Sequence, residues 1–283
     1  MLSLRARAVI LCMAAFAAVF PVSAREIAIT FDDLPYVLPS RTSPAEGVAQ
    51  VHAVNEALAA HRMVATGFAV GSQTGWRSRR AIAAFADAGH TIGNHSWSHP
   101  DYGTLTPEAF REETLRTDEA LAPWIGARRF YRFPFLREGE TQQTKAAAEA
   151  VLAALGYVNV PVTIDTDDWR YNADYLDALD QGDEAAAAEV AAAYVVHIQE
   201  RTRHFEVLAQ DALGREVPHI LLLHMNRINA DHLETLLDWY AAEGWRFVPV
   251  EEALRDPLFA MPDLYAGPRG LSQIERVMGR PSE

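Results

Sequence analysis

Two adjacent carboxylates, Asp32 and Asp33, follow the apolar run Ile27-Ala28-Ile29-Thr30-Phe31. Side by side they repel unless a cation or an arginine neutralises them, so one can ligate a metal while the other acts as a base. His95 and His99, in His95-Ser96-Trp97-Ser98-His99, stand four residues apart. At that spacing two imidazoles reach one cation from a helical turn or a tight loop, and zinc or a similar ion suits them. No glutamate lies between them as in the His-Glu-x-x-His motif of metalloproteases, so the water-activating base must come from elsewhere, and Asp32 or Asp33 is available. Arg132, in Phe130-Tyr131-Arg132-Phe133-Pro134-Phe135, is a permanent cation that can hold a carboxylate ionised and oriented, and the backbone beyond Pro134 offers an oxyanion donor. In Asp165-Thr166-Asp167-Asp168-Trp169, carboxylates able to orient an imidazole adjoin an aromatic able to wall a small pocket. His224 closes the run Ile220-Leu221-Leu222-Leu223, and the two-residue period of a strand puts Leu222 on its face. Singly, each group has a plainer reading as an exposed turn, a coincidental histidine pair, a surface arginine or a structural histidine. Their company argues for a site.

The elements that must position these groups follow from periodicity. Seven short apolar runs read as strands: 27–31, 66–70, 90–94, 129–133, 158–164, 219–223 and 246–250. Helix-like stretches fall between them, among them 78–88, 107–120, 141–155, 230–243 and 251–254. Alternating strands and helices predict an α/β fold, and the count predicts a distorted seven-stranded (β/α) barrel of TIM type. Each polar motif then sits at the C-terminal end of a strand, where such barrels build active sites. The longest insertion, 174–217, predicts a long outer helix whose His197 and His204 are expected to pack or face solvent rather than ligate. The tail from Asp256 on, with four prolines, reads as a loop-rich wrap, and no second domain is expected.

In order, Thr30-Phe31-Asp32-Asp33, His95-Ser96-Trp97-Ser98-His99, Arg132-Phe133-Pro134-Phe135, Asp165-Thr166-Asp167-Asp168-Trp169 and Leu222-Leu223-His224 resemble the five motifs of the polysaccharide deacetylase, or NodB-homology, family of carbohydrate esterases. The resemblance implies that Asp32 is a general base paired with Arg132, and that Asp33, His95 and His99 bind a divalent metal. Zn²⁺ is the first expectation, with Co²⁺, Mn²⁺ or Ni²⁺ as alternatives. It further implies that the Phe135 N–H binds the oxyanion, Trp169 and Leu222 line the acetyl pocket, and Asp168 tunes His224, the general acid. The implied reaction removes N- or O-linked acetyl groups from a polysaccharide or oligosaccharide. Leu34-Pro35 stands where the family commonly has glycine, and Phe135 where it often has tyrosine.

Bulk composition limits the alternatives. With 49% hydrophobic and 22% charged residues, the 283-residue chain is no disordered polymer, and its core needs no structural metal or disulfide. Arg5 and Arg7, the apolar run 8–20 and Val22-Ser23-Ala24 read as a cleaved signal peptide over 1–24, leaving a mature domain 25–283 in the periplasm or outside the cell. The single cysteine, Cys12, lies inside that signal. Without Arg5 and Arg7, 23 basic face 38 acidic residues, a balance that disfavours nucleic acid, and no lasting membrane insertion is expected after cleavage. Competing readings are a non-haem iron oxygenase, which shares a two-histidine, one-carboxylate set, a carbohydrate-binding relative without catalysis, and a hydrolase of another small C–N bond.

Overall fold

The computed structural model describes residues 25–37 and 40–282. The signal reading, Cys12 included, lies outside them. Seven parallel strands carry the fold: β1 (Glu26–Leu34), β2 (Thr66–Ala69), β3 (Thr91–Asn94), β4 (Arg129–Tyr131), β5 (Tyr157–Asn159), β6 (His219–His224) and β7 (Arg246–Phe247). They run in the order β5-β4-β3-β2-β1-β6. Ile27 of β1 pairs with His219 on one edge and Phe247 on the other, so β7 fills the edge of β1 below the point where β2 begins. The gap between β5 and β6 is spanned by the chain beyond β5. Val160 N donates to Tyr131 O at 2.8 Å, and Ile164 bridges Leu221 in parallel. The sheet thus closes on itself as the expected distorted barrel.

Three strands are shorter than the apolar runs suggest. Pro134, Pro161 and Pro249 follow β4, β5 and β7 closely, and each lacks the N–H that a ladder needs. The helices are α1 (Pro44–Ala60), α2 (Arg79–Asp87), α3 (Pro107–Leu121), α4 (Gln142–Ala154), α5 (Asp168–Asp180), α6 (Glu184–Leu213), α7 (Arg227–Ala242), α8 (Val250–Ala253) and α9 (Gln273–Met278). The sequence reading names no helix between the first two strands. The signal was present, since Ser43 and Glu46 form a capping box around Pro44 at the first turn. The tail is likewise more ordered than loop-rich: Ser272 and Glu275 cap α9, which buries Ile274 and Arg276.

The long insertion resolves into α5 and the 30-residue α6. Ala187, Ala191, Tyr194, Ile198, Thr202, Phe205 and Ala209 recur every three or four residues and form one buried stripe. This helix joins the main core with α7 and α9 rather than lying loosely outside it. His197 packs as expected, its Nε2 donating to Thr166 O at 2.8 Å and its ring lying against Tyr171.

Candidate active site

The loops after the strands converge at one end of the barrel. Pairing of Asp32 with His224 across β1 and β6 puts the two polar strand ends side by side. Asp32 is 3% exposed, and its Oδ1 accepts from Arg132 Nη1 at 2.8 Å. Arg132 is buried too: its Nη1 donates to Thr30 Oγ1 at 2.7 Å and its Nε to Val160 O at 3.0 Å, while its guanidinium lies 4.2 Å from the Phe68 ring centre. Burial raises the Asp32 pKa, and the opposing charge of Arg132 limits the rise. Thr30 is a partner that the sequence reading did not single out.

Asp33 points the other way, toward the histidine pair. Its Oδ1 lies 3.3 Å from His99 Nε2 and 3.7 Å from His95 Nε2. Ligands held tetrahedrally at ~2.1 Å from a zinc ion stand roughly 3.4 Å apart, so this triplet is spaced to take one divalent cation. His95 Nδ1 donates to Arg132 O at 2.9 Å, which leaves the Nε2 lone pair for a metal. Burial lowers the His95 pKa to about 3, keeping the ring neutral. The loop bearing His99 is tied down by Glu113 of α3. Its carboxylate accepts from Ser96 Oγ, Trp97 N and Ser98 N at 2.8–3.1 Å.

On the far side, Asp168 is fully buried at the first turn of α5. Its Oδ1 accepts from His224 Nδ1 at 2.5 Å, and its Oδ2 accepts from His224 N, Asn226 Nδ2 and Asn229 Nδ2 at 2.6–2.9 Å. Asn229 is held in turn by the Tyr194 hydroxyl of α6. Burial works against a charged His224 ring, yet the Asp168 carboxylate outweighs it and raises the pKa to about 10. Neither asparagine was anticipated, because asparagine at the start of a helix ordinarily reads only as a cap. Asn226 is indeed the cap of α7, and its side-chain amide serves Asp168 as well.

The remaining candidates divide between floor and rim. Leu222 is 5% exposed and packs with Leu136 and Val162. Trp169 is 55% exposed beside Asp168, a rim position. Phe135 is 54% exposed, with its ring 4.6 Å from that of His99, and its backbone N–H finds no acceptor among the described residues. Asp33, Ser96, His99, Phe135, Leu136 and Asp167 all adopt left-handed backbone without being glycine. Such residues are uncommon and collect where surrounding structure holds a functional loop in place.

The parallel barrel thus gathers a cation-spaced triplet, a buried arginine–aspartate pair and a buried histidine–aspartate pair at one mouth. The family model described as polysaccharide deacetylase matches residues 21–160. Asp168 and His224 fall beyond that match and are placed by the geometry alone. The chain is 29% identical over 153 residues to a peptidoglycan-N-acetylglucosamine deacetylase of Bacillus cereus, covering 53% of this chain and 48% of the relative. It is 28% identical over 192 residues to a chitin deacetylase of Pestalotiopsis sp, covering 66% and 57%. It therefore spans about half the length of these curated relatives. Among solved structures, the chitin deacetylase of Colletotrichum lindemuthianum superposes with a TM-score of 0.59 at 21% identity, over 83% of this chain and 89% of that one. A CE4 family pseudoenzyme from Bacillus anthracis superposes at 0.58 and 17% identity, over 82% and 66%. The fold is thus shared by proteins that differ in catalysis, and the reaction must be argued from the site.

Proposed function

We propose that this protein is a divalent-metal-dependent hydrolase that removes acetyl groups from an N- or O-acetylated carbohydrate. The observation that carries the reading is the placing of the Asp32–Arg132 and Asp168–His224 pairs around the Asp33, His95 and His99 triplet. Those three residues would hold the ion, with Zn²⁺ favoured by two imidazoles and a carboxylate. Bound there, it would supply Lewis acidity, lowering the pKa of a water molecule and polarising the acetyl carbonyl.

The protein's own groups account for the proton movements. Asp32, held by Arg132 through Oδ1, has its Oδ2 3.6 Å from His95 Nε2, beside the metal position, and accepts the water proton. The free Phe135 N–H donates to the acetyl oxygen as negative charge develops on it. His224, charged at neutral pH with Nδ1–H on Asp168, keeps its Nε2–H for the leaving nitrogen or oxygen. Water thus gives its hydroxyl to the acetyl carbon, the C–N or C–O bond breaks, and acetate and the free amine or alcohol depart. A non-haem oxygenase would share the ligand set but would leave this paired base and acid without a task. The printed names of the relatives point to N-acetylglucosamine polymers as the first substrates to test.

Residues 1–24 are proposed as an export signal and 25–283 as the catalytic unit. No helix among the described residues is long and apolar enough to cross a membrane. The test is acetate release from peptidoglycan, chitooligosaccharides and acetylxylan by the exported enzyme, its N-terminus sequenced. Release that chelation abolishes and Zn²⁺ or another first-row ion restores is expected. Full activity without metal, or no turnover of any acetylated sugar by metal-loaded protein, refutes the mechanism, and a mature chain containing Cys12 refutes the signal.

A further inference from the structure

Phe135 and Leu136 are consecutive non-glycine residues with φ of 57° and 55°. Such a conformation is strained for a side-chain-bearing residue and persists only where its surroundings impose it. Local bonds alone are few: Leu136 N donates to Phe133 O and Arg137 N to Pro134 O, at 3.0 and 3.2 Å. The rest of the restraint comes from the far end of the chain. Arg276, 2% exposed, donates through Nη2 to Leu136 O, through Nε to Leu271 O at 3.2 Å and through Nη1 to Asp263 Oδ2 at 2.9 Å. Gly270 backs onto the same loop so closely that a Cβ there would lie 1.9 Å from Phe135 O. Gln273 N donates to Val162 O at 2.7 Å, seating the segment beside Leu136 and Leu222.

We propose that Gly270 and Arg276 are positioning residues for the reaction, forming a C-terminal strap that presents the Phe135 N–H to the acetyl oxygen. The inference rests on the reading of Phe135 as the oxyanion donor. Glycine is required because no side chain fits against Phe135 O. Arginine is required because three acceptors in different directions are met at once by a planar guanidinium, whereas a lysine ammonium reaches them only as a point charge. The strap lies outside residues 21–160, the part matched by the family model.

Gly270→Ala and Arg276→Lys are to be compared with wild type as full-length, metal-loaded proteins. The readouts are metal content, hydrogen exchange of the Leu136 and Arg137 amides, and kcat and KM for acetate release. Faster exchange confined to this loop, with a kcat loss of ~10- to 100-fold at nearly constant KM and full metal content, is expected, since an oxyanion donor acts mainly in the transition state. Unchanged exchange in folded Gly270→Ala overturns the strap, and faster exchange with wild-type kcat overturns its role in the reaction. Should Arg276→Lys fail to fold, Gly270→Ala alone decides. If wild type releases no acetate, the functional reading falls, and exchange still decides whether the strap holds the loop.

Discussion

Two carboxylates in this site meet opposite environments, which suit them to the opposite roles proposed for them. Asp32 is stripped of water and matched by one arginine, which leaves its pKa raised and the group basic enough to accept a proton. Asp168 is also stripped of water, yet four donors hold it ionised below its usual range, and it passes that stabilisation to His224. The division predicts different consequences for the two partners. His224→Ala should keep the metal and slow hydrolysis of an unactivated acetyl sugar by ~10²- to 10⁴-fold, the usual worth of a general acid. An aryl acetate, whose leaving group needs little protonation, should be far less affected by His224→Ala than by Asp32→Ala. Equal losses on both substrates, or loss of metal, would move His224 out of the role of acid.

At the scale of elements, the strands deliver the chemical groups and the neighbouring helices hold them still. Glu113 shows this best, because it reaches from α3 to four donors of the loop that ends in His99, Ser98 Oγ among them. Partners that fix ligand geometry commonly govern metal affinity by ~10- to 100-fold when removed. Glu113→Ala is therefore expected to weaken metal binding by about that factor, measured by chelator competition, while leaving the helical circular dichroism intact. Wild-type affinity would mean that the loop holds its shape without the carboxylate. No local pattern advertised this role, since Glu113 sits among six other charged residues of α3.

Across the whole molecule, charge burial ties stability to pH. The folded-state pKa of His224 is raised from 6.5 to about 10. The charged pair therefore contributes fully below about pH 6.5, and the contribution is lost as pH rises through about 10. Relative to His224→Gln, metal-free wild type should lose up to ~1.4 kcal/mol of its advantage per pH unit as pH rises from about 6.5 toward 10. Urea denaturation across that range checks it, and a pH-independent difference between the two proteins would contradict it. The long α6 bears on the same pair at a distance, because Tyr194 holds Asn229 and Asn229 holds Asp168.

The sequence by itself determined the barrel, since strand and helix periods are local, and it determined the ten candidate side chains, since each motif is a short run at a strand end. Prolines 134, 161 and 249 even carried the early strand ends, and the Ser43 and Ser272 capping boxes carried two helices. Residue types and spacing left open which carboxylate faces which partner, a division implied only by the family resemblance, and the tertiary structure supplies its physical cause. Asp32 and Asp33 are adjacent and alike in sequence, and it is the left-handed backbone of Asp33 and the reach of Arg132, one hundred residues away, that separate them. Thr30, Glu113, Asn226, Asn229, Gly270 and Arg276 stayed hidden for the same reason. Their hydrogen bonds and close approaches join segments distant along the chain, and ordinary residue types give no local sign of contacts that exist only once the barrel has closed.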